Sequence, residues 1–345
     1  MAELAGVSVA TASRVMSGAN HPVNDRTRAR VLSAADQLAF EPNRLARALV
    51  TSRSHTVGVI VHDIADPYFG EIVKGLEDGL APHDYRMFVT SSERDPTKEL
   101  AYLRALQAHQ VDAIVFAASS ITDAAYMHEL QRIASRFEGK GGVMIALSDQ
   151  VLDVPRVRFD NRKAVGEMVR YLAGLGHGSI GYIGGPSDLE VSQVRLAAFK
   201  AAITHLDLPE HVVSGGFTVT GGERAMTALL DRTSVTAVLA ANDLMAIGAT
   251  RALLATGRRV PEDVSVAGFD DIPLAAYGPV PLTTMHVPTY DIGRQGAGLL
   301  LRALDGERPA DVVLTGHIVE RDSVRRIGPD RDGATMAHPP RSQER

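Results

Sequence analysis

A short helical pattern near the amino terminus carries side chains that could contact a nucleic acid. Gly6 ends an apolar turn, and Ser8 can cap a new helix because its hydroxyl accepts a hydrogen bond from a backbone N–H one turn on. Helical periodicity then separates an apolar face from a mixed face. The apolar face consists of Ala12, Val15 and Met16, and the mixed face consists of Val9, Ala10, Ser13, Arg14 and Ser17. One face can pack while the other enters a groove, which is typical of a helix-turn-helix.

Other patterns in the chain favour binding over catalysis. Gly176 to Gly181 spell G-x-G-x-x-G, but a dinucleotide site needs these glycines after a strand and before a helix, and here the order is reversed. The pair Asp270–Asp271 could suggest acid–base chemistry or a metal, yet it fits ligand and loop hydrogen bonding better. The histidines form no HExxH pattern, and no G-x-S-x-G elbow occurs. The sequence predicts no enzyme, no metal and no cofactor.

Composition narrows the class of protein further. A length of 345 residues predicts two or three domains, and 45% apolar residues suffice for a core. Cysteine is absent, which excludes disulfides and Cys-based zinc sites. No apolar run is long enough for a membrane span or signal peptide, so we expect a cytoplasmic protein without membrane contacts.

Charge is distributed unevenly along the chain. Residues 1–55 contain seven arginines against four acidic residues, a net charge of +3. The formal net charge of the whole chain is -5, which leaves -8 for the remainder. A small basic module joined to a larger acidic body suits a DNA-binding head with a local positive charge.

The head requires further helices to share its small core. Asn24 is a predicted N-cap, and the apolar residues that follow have helical spacing: Val31, Leu32, Ala35 and Leu38. Pro42 then breaks the pattern, and Asn43 can cap a last segment, 44–50. Its seven residues are fewer than the ~12 to 15 that a helix needs to be stable alone. We therefore expect it to be helical only where a surface supports it.

From about residue 56 buried strands and amphipathic helices alternate. The first round has strands near 57–61, 87–89, 113–116 and 143–147, with helices at 67–80, 97–108 and 123–136. The second round has strands near 180–183, 237–240 and 264–267, with helices at 161–175, 191–206, 221–230 and 243–255. Such alternation predicts parallel sheets with helices on both faces. Two α/β lobes would enclose a cleft, where ligands meet the carboxyl ends of the strands.

The motifs along this framework resemble those of LacI/GalR transcriptional regulators, from Met1 to about Ile327. The resemblance implies a small all-α helix-turn-helix head at 1–41 and a hinge helix with its linker at 42–55. A two-lobed, periplasmic-binding-protein-like α/β core with parallel sheets follows at 56–327, and a disordered tail at 328–345. The matching stretches are 5–8 with Thr11, 13–15, 42–49, 66–69, 160–161, 176–177, 185–186, Arg195 with Phe199, 241–243, 268–271, 281–284 and 321–323.

By this resemblance the protein is a homodimer that binds a pseudo-palindromic double-stranded operator. Val9 and Ala10 would occupy base-reading positions, where they can make only apolar contacts, for instance with a thymine methyl. Arg14 would reach a base or a phosphate, and Leu49 would be a minor-groove wedge that bends the duplex. The complete set of DNA-binding positions is Ser8, Val9, Ala10, Thr11, Ser13, Arg14, Asn43, Arg47 and Leu49. Relatives carry several residues before the position of Met1, so we expect the first helix to be truncated and upstream residues to strengthen operator binding.

The resemblance also implies a small effector in the cleft, a sugar or sugar derivative, that releases the operator. The matching positions are Tyr68, Phe69, Asp160, Arg195, Phe217, Asn242 and Asp270. Aromatic faces beside hydrogen-bonding Arg, Asn and Asp suit a sugar, and a purine or nucleoside would fit almost as well. The ligand could act as inducer or corepressor. A sugar-binding transport protein shares the core but would carry a signal peptide instead of the head, and a dehydrogenase would bind nicotinamide.

Overall fold

The computed structural model describes residues 1–16, 23–38 and 53–328 of the chain. The chain divides into two compact units, Met1–His55 and Thr56–Arg345. The predicted hinge helix, with Asn43, Arg47 and Leu49, and the predicted tail beyond Gly328 lie outside the described residues.

The head contains helix α1 (Val9–Met16) and helix α2 (Asp25–Gln37). The Ser8 hydroxyl accepts a hydrogen bond from the Thr11 N–H at 3.1 Å, so the predicted cap of α1 is present. Asn24 caps α2 by accepting from the Arg26 N–H at 2.8 Å, also as predicted. Residues 2–6 form hydrogen-bonded turns that end at Gly6, whose φ of +59° lies in the left-handed region that glycine tolerates.

The head core is small and is built from the predicted apolar face of α1. Its buried members are Ala5, Ala12, Val15, Val31 and Ala34. The Arg30 guanidinium of α2 donates to the carbonyls of Ala5 and Gly6 and so ties α2 to the first turn. Leu32 and Leu38, expected on the packed face, are instead about half exposed, at 47% and 51%.

The first lobe of the core is a parallel four-stranded sheet in the order β2-β1-β3-β4. Buried apolar strands form its centre, and amphipathic helices cover it, as the sequence predicted. In chain order its elements are β1 (Thr56–Val61), α3 (Pro67–Leu80), β2 (Arg86–Ser91), α4 (Pro96–Ala108), β3 (Ala113–Phe116), α5 (Ala124–Glu138) and β4 (Val143–Ala146).

The second lobe has a six-stranded sheet, and a two-stranded parallel ladder, β5 with β11, lies outside both sheets. In chain order the elements that follow β4 are β5 (Val157–Phe159), α6 (Asn161–Gly174), β6 (Ile180–Gly184), α7 (Glu190–His205), β7 (His211–Ser214), α8 (Val219–Leu230), β8 (Ala237–Ala240), α9 (Asp243–Ala255), β9 (Ser265–Asp270), β10 (Thr283–His286), α10 (Thr289–Leu304), β11 (Val312–Leu314) and β12 (His317–Val319). The strand order is β12-β10-β9-β8-β6-β7, parallel except where β12 meets β10.

The chain crosses between the lobes more than once. It leaves the first lobe after β4 and returns after β10, because α10 packs on α3 and β4. After α10 it runs through β11 to β12 in the second sheet. These crossings place the carboxyl ends of both sets of parallel strands at one shared cleft.

Candidate functional site

The cleft between the two lobes contains about 690 Å³ of empty space, open solvent included. Apolar and aromatic side chains alternate with polar ones along its walls. The lining residues are His62, Asp66, Tyr68, Phe69, Arg94, Ala117, Ser119, Leu147, Ser148, Asp149, Phe159, Asn161, Val191, Arg195, Phe217, Asn242 and Asp270.

Arg195 of α7 is the most constrained of these side chains. It is only 5% exposed, and its Nε–H donates to Asn161 Oδ1 at 2.8 Å. Its two terminal nitrogens donate to the Ala241 carbonyl and, at 3.3 Å, to Asp270 Oδ1. The guanidinium carbon also lies 3.9 Å from the centre of the Phe269 ring, an attractive cation–π contact. A guanidinium has five N–H donors, so two stay available after these three bonds among the described residues.

Asp270, at the end of β9, forms a buried ion pair with Arg195. Burial raises the pKa of its carboxyl well above the ordinary value, and the Arg195 guanidinium acts in the opposite direction. The φ of Asp270 is 111°, a conformation that L residues rarely adopt and that concentrates at binding sites. Its neighbour Asp271 accepts hydrogen bonds from Arg321 at 2.7 Å and His286 at 3.0 Å, which stabilises the loop as expected.

The amino terminus of α9 contributes the next polar group. Asn242 is 3% exposed and caps α9 by accepting from the Met245 N–H at 2.9 Å. Asp243, the first residue of α9, accepts from Thr284 Oγ1 at 2.6 Å and from the Ile272 N–H at 2.9 Å. Complete burial raises the pKa of Asp243 to about 7. These bonds hold the α9 terminus and the β9 loop together beside Arg195.

Aromatic rings form the apolar walls of the cleft. Tyr68 and Phe69 begin α3, which Asp66 caps by accepting from the Tyr68 N–H at 3.1 Å. Their rings meet edge to face with centroids 5.2 Å apart. Phe217 lines the second lobe, and the guanidinium carbon of Arg94 from the first lobe lies 5.8 Å from its centroid.

The structure brings most of the expected effector positions into this one cleft. Asp160 differs, because its carboxylate caps α6 by accepting from the Lys163 N–H at 3.1 Å, and its neighbour Asn161 lines the cleft. The positions that line the cleft are Tyr68, Phe69, Arg195, Phe217, Asn242 and Asp270.

Several lining residues were not identified from the sequence. They lie on the loops that follow the strands of the first sheet: His62 after β1, Arg94 after β2, Ser119 after β3 and Asp149 after β4. The rule that ligands meet the carboxyl ends of parallel strands would have found them once the strands were predicted.

Comparison with known proteins identifies the family. The family model for bacterial regulatory proteins of the lacI family matches residues 1–43, and a periplasmic binding protein-like domain matches residues 169–324. The HTH-type transcriptional repressor CytR of Escherichia coli K12 is 33% identical over 307 residues, which cover 88% of each chain. The chain belongs to the LacI family of bacterial transcriptional regulators.

Two solved structures place this LacI-family chain among its relatives in three dimensions. The Lac repressor dimer bound to operator and the anti-inducer ONPF has a TM-score of 0.82 at 26% identity, covering 94% of this chain and 97% of that one. The regulator CelR in complex with cellobiose has a TM-score of 0.70 at 31% identity, covering 93% and 98%. The relatives are DNA-binding regulators and not enzymes.

In this LacI-type head, α1 presents the surface that the sequence predicted. Val9 is 78% exposed, whereas Ala12 and Val15 on the opposite side are 1% and 5% exposed. Thr11 is half-buried, and its hydroxyl lies 2.9 Å from that of Ser8. The exposed side chains of this surface are Ser8, Val9, Ala10, Ser13 and Arg14.

The patterns that suggested other chemistry have structural explanations. Helix α6 ends at Gly174 and β6 begins at Ile180, so the G-x-G-x-x-G stretch runs from helix to strand. His177 is 2% exposed and its ring nitrogens bond to Thr236 Oγ1 and the Arg325 carbonyl. Within residues 1–16, 23–38 and 53–328 no cluster of three or more His, Cys, Asp or Glu could hold a metal, and no helix is long and apolar enough to cross a membrane.

Proposed function

We propose that the chain acts as a cytoplasmic homodimer that binds a pseudo-palindromic operator and releases it when a small sugar-like effector enters the cleft. The observation that carries this proposal is Arg195. Its guanidinium is buried, donates to Asn161, Asp270 and the Ala241 carbonyl, and has two N–H groups left over among the described residues. A guanidinium held in this way can donate hydrogen bonds to two adjacent oxygen atoms of a cyclic polyol.

In this proposal the effector contacts both the Arg195 guanidinium and aromatic rings on which it can stack. Tyr68, Phe69 and Phe217 can cover the apolar faces of a sugar ring. Asn242 and Asp270 supply further polar groups, and Asp160 acts through the α6 cap beside Asn161. The CelR structure was solved as a cellobiose complex, and another LacI-family structure contains bound ribose. A nucleoside, with its ribose and its flat base, is the alternative that the same residue types allow.

On the DNA side, the exposed surface of α1 enters the major groove. Val9 and Ala10 make apolar contacts with base edges, Arg14 donates to a base or phosphate, and Ser8, Thr11 and Ser13 contact the backbone. These side chains can form few base-specific hydrogen bonds. Sequence specificity therefore also requires that the two heads of a dimer bind the two symmetric halves of the operator. Asn43, Arg47 and Leu49 outside the described residues complete the proposed interface, with Leu49 as the minor-groove wedge.

The experiment that tests this function has two steps. A thermal-shift screen of sugars and nucleosides on the purified full chain identifies a compound that raises the unfolding temperature. Operator fragments selected in vitro are then titrated at constant salt with and without that compound. We expect a dimer on each fragment and weaker operator binding with the compound. Tighter binding would identify a corepressor, and failure to select any DNA sequence would contradict the proposal.

Arg14 and Arg30 provide a matched test of the head. Arg14→Ala is expected to weaken operator binding by about 1–3 kcal/mol, the cost of a lost base or phosphate contact. Arg30→Ala should instead lower the stability of the head by about 1–3 kcal/mol, because its bonds to the Ala5 and Gly6 carbonyls are lost. Fluorescence anisotropy and thermal unfolding measure the two effects. Wild-type operator affinity for Arg14→Ala at matched salt would remove Arg14 from the interface.

A further inference from the structure

Two histidines lie side by side at the antiparallel edge of the second sheet. His286 is the last residue of β10, His317 is the first residue of β12, and the register of the two strands pairs them directly. Their ring centres are 4.9 Å apart, and the ring planes are tilted by 40°. His317 is exposed and the His286 side chain is 37% exposed, so solvent reaches both rings. We call these two residues the strand-pair histidines.

The spacing of the two rings matches that of imidazoles bound to one metal ion. A metal about 2.0–2.1 Å from an imidazole nitrogen lies about 3.2 Å from the ring centre, so two imidazoles on one tetrahedral ion have centres about 5 Å apart. Directly opposed residues of an antiparallel pair also have Cβ atoms about 4.5–5.5 Å apart. Both rings can therefore reach one ion by side-chain rotation alone.

A carboxylate fixes the orientation of the His286 ring. Asp271 Oδ2 lies 3.0 Å from His286 Nδ1, and a carboxylate only accepts, so Nδ1 carries the hydrogen and Nε2 carries the lone pair. Arg321 holds this carboxylate by donating to its other oxygen at 2.7 Å and to the Leu282 carbonyl at 2.8 Å. Metal-binding histidines almost always donate their second ring N–H to such a partner, which makes the ligating nitrogen more basic.

The ligand type selects the class of metal. Imidazole nitrogen suits Zn²⁺, Ni²⁺ and Cu²⁺, whereas Mg²⁺ and Ca²⁺ prefer oxygen ligands. In the described ranges no third His, Cys, Asp or Glu joins the pair as a further ligand, so water must complete the coordination shell. A site with two protein ligands exchanges its ion with the solution, unlike a closed structural zinc site with four.

The strand-pair histidines lie where the chain passes between the lobes. His286 precedes the segment that returns to α10, and His317 follows the segment that leaves β11. The two segments are already in close contact, because a Cβ on Gly316 would overlap the His286 carbonyl oxygen. An ion bound to both histidines would therefore join two of the crossings between the lobes.

We propose that the strand-pair histidines bind one divalent transition-metal ion of the Zn²⁺, Ni²⁺ and Cu²⁺ class and so fasten β10 to β12 at these crossings. His286 Nε2 and one ring nitrogen of His317 are the protein ligands, and Asp271 is a positioning residue that acts through His286. Neither histidine lines the cleft between the lobes, and the site does not depend on the proposed function.

Titration calorimetry with NiCl₂, ZnCl₂ and MgCl₂ tests the site on the full chain, prepared without a histidine tag and freed of metal with EDTA. We expect one Ni²⁺ or Zn²⁺ per chain to bind at this site and Mg²⁺ to give no signal. His286→Gln and His317→Gln should each weaken Ni²⁺ binding at least about tenfold, because each removes one of two ligands. Asp271→Asn, which keeps both ligands, should weaken it by about tenfold.

A matched variant and a spectrum separate ligation from general effects of mutation. His128→Gln removes an exposed histidine of α5, and the described residues that share its surface groove include no second histidine. This control should bind Ni²⁺ as the unmodified chain does. With one equivalent of Cu²⁺, electron paramagnetic resonance should show coupling to two imidazole nitrogens in the unmodified chain and to one in His317→Gln.

The outcomes decide the inference without touching the function proposed above, because these titrations use neither operator nor effector. Absence of Ni²⁺ and Zn²⁺ binding would overturn the site. Full Ni²⁺ affinity in His286→Gln or in His317→Gln would overturn a site shared by the two residues. An equal loss in His128→Gln, or Mg²⁺ binding as tight as Ni²⁺ binding, would also contradict it.

Discussion

Replacement of Arg195 by alanine is expected to abolish the response of operator binding to the effector and to destabilise the core. The effector loses the two Arg195 N–H donors that remain after the bonds to Asn161, the Ala241 carbonyl and Asp270. Asp270 and Asn161 also lose their common partner, and removal of one member of a buried ion pair costs about 3–5 kcal/mol. Operator titration with an effector identified by the screen measures the first effect, and urea unfolding measures the second.

The destabilisation by Arg195→Ala should depend on pH. Burial already holds the pKa of Asp270 well above its ordinary value, and loss of Arg195 removes the group that lowers it. A folded-state pKa raised above the unfolded value stabilises the fold at low pH and loses that contribution as pH rises through the folded pKa. The variant should therefore be closer to wild type in stability at about pH 5 than at about pH 8.

Two further variants separate binding from folding at this pair. Arg195→Ala combined with Asp270→Ala leaves no unpaired buried charge, so it should recover part of the lost stability while the effector response stays absent. Arg251→Ala removes an exposed arginine paired with Glu223 and should cost at most about 1 kcal/mol. An Arg195→Ala protein that still releases the operator on addition of effector would contradict the assignment.

Local signals in the sequence were sufficient for most of the fold. The buried run of β1 and the amphipathic pattern of α3 gave these elements within a residue or two, because a two-sided buried strand and an amphipathic helix have distinct periodicities. The strands β5, β7, β10, β11 and β12 and the helix α10 were missed. Each of these strands has only three or four residues, and its place depends on pairing with distant strands.

The binding site was less predictable than the fold, because the sequence does not show which of two neighbouring polar residues caps a helix and which one lines the cleft. Asp160 and Asn161 have similar side chains at the start of α6. The Asp160 carboxylate caps the helix, whereas the Asn161 side-chain oxygen accepts a hydrogen bond from Arg195. His62, Arg94 and Ser119 match no motif, and only their position after strands identifies them. Leu32 and Leu38 of the head show the same limit, since helical spacing alone does not tell which apolar residues a small core can cover.

Alanine substitution at Gly75 or Gly293 is expected to destabilise the first lobe by about 1–3 kcal/mol or more. Helices α3 and α10 meet there backbone to backbone. A Cβ on Gly75 would lie 2.1 Å from the Tyr290 carbonyl oxygen, and a Cβ on Gly293 would lie 2.1 Å from the Ile72 carbonyl oxygen. No flexible side chain can move aside at either contact, so the helices must separate. Urea unfolding measures the loss.

The same helices provide matched controls that should change stability in the opposite direction. Gly70 in α3 and Gly298 in α10 are exposed, and a Cβ at either would meet nothing within 4 Å among the described residues. Alanine at these positions should stabilise the protein by about 0.5–1 kcal/mol, because glycine loses more conformational entropy in a helix. Equal stability of the inner and outer variants would contradict the close backbone contact.

The contact between α3 and α10 should also matter for the effector. Helix α3 begins with Tyr68 and Phe69 at the cleft, and α10 follows the segment by which the chain returns from the second lobe. Separating the two helices therefore moves an aromatic wall of the cleft relative to Arg195. We expect Gly75→Ala to weaken effector binding at temperatures where the protein stays folded, whereas Gly298→Ala leaves it unchanged. Calorimetric titration that gave wild-type affinity for Gly75→Ala would show that the wall keeps its position without this contact.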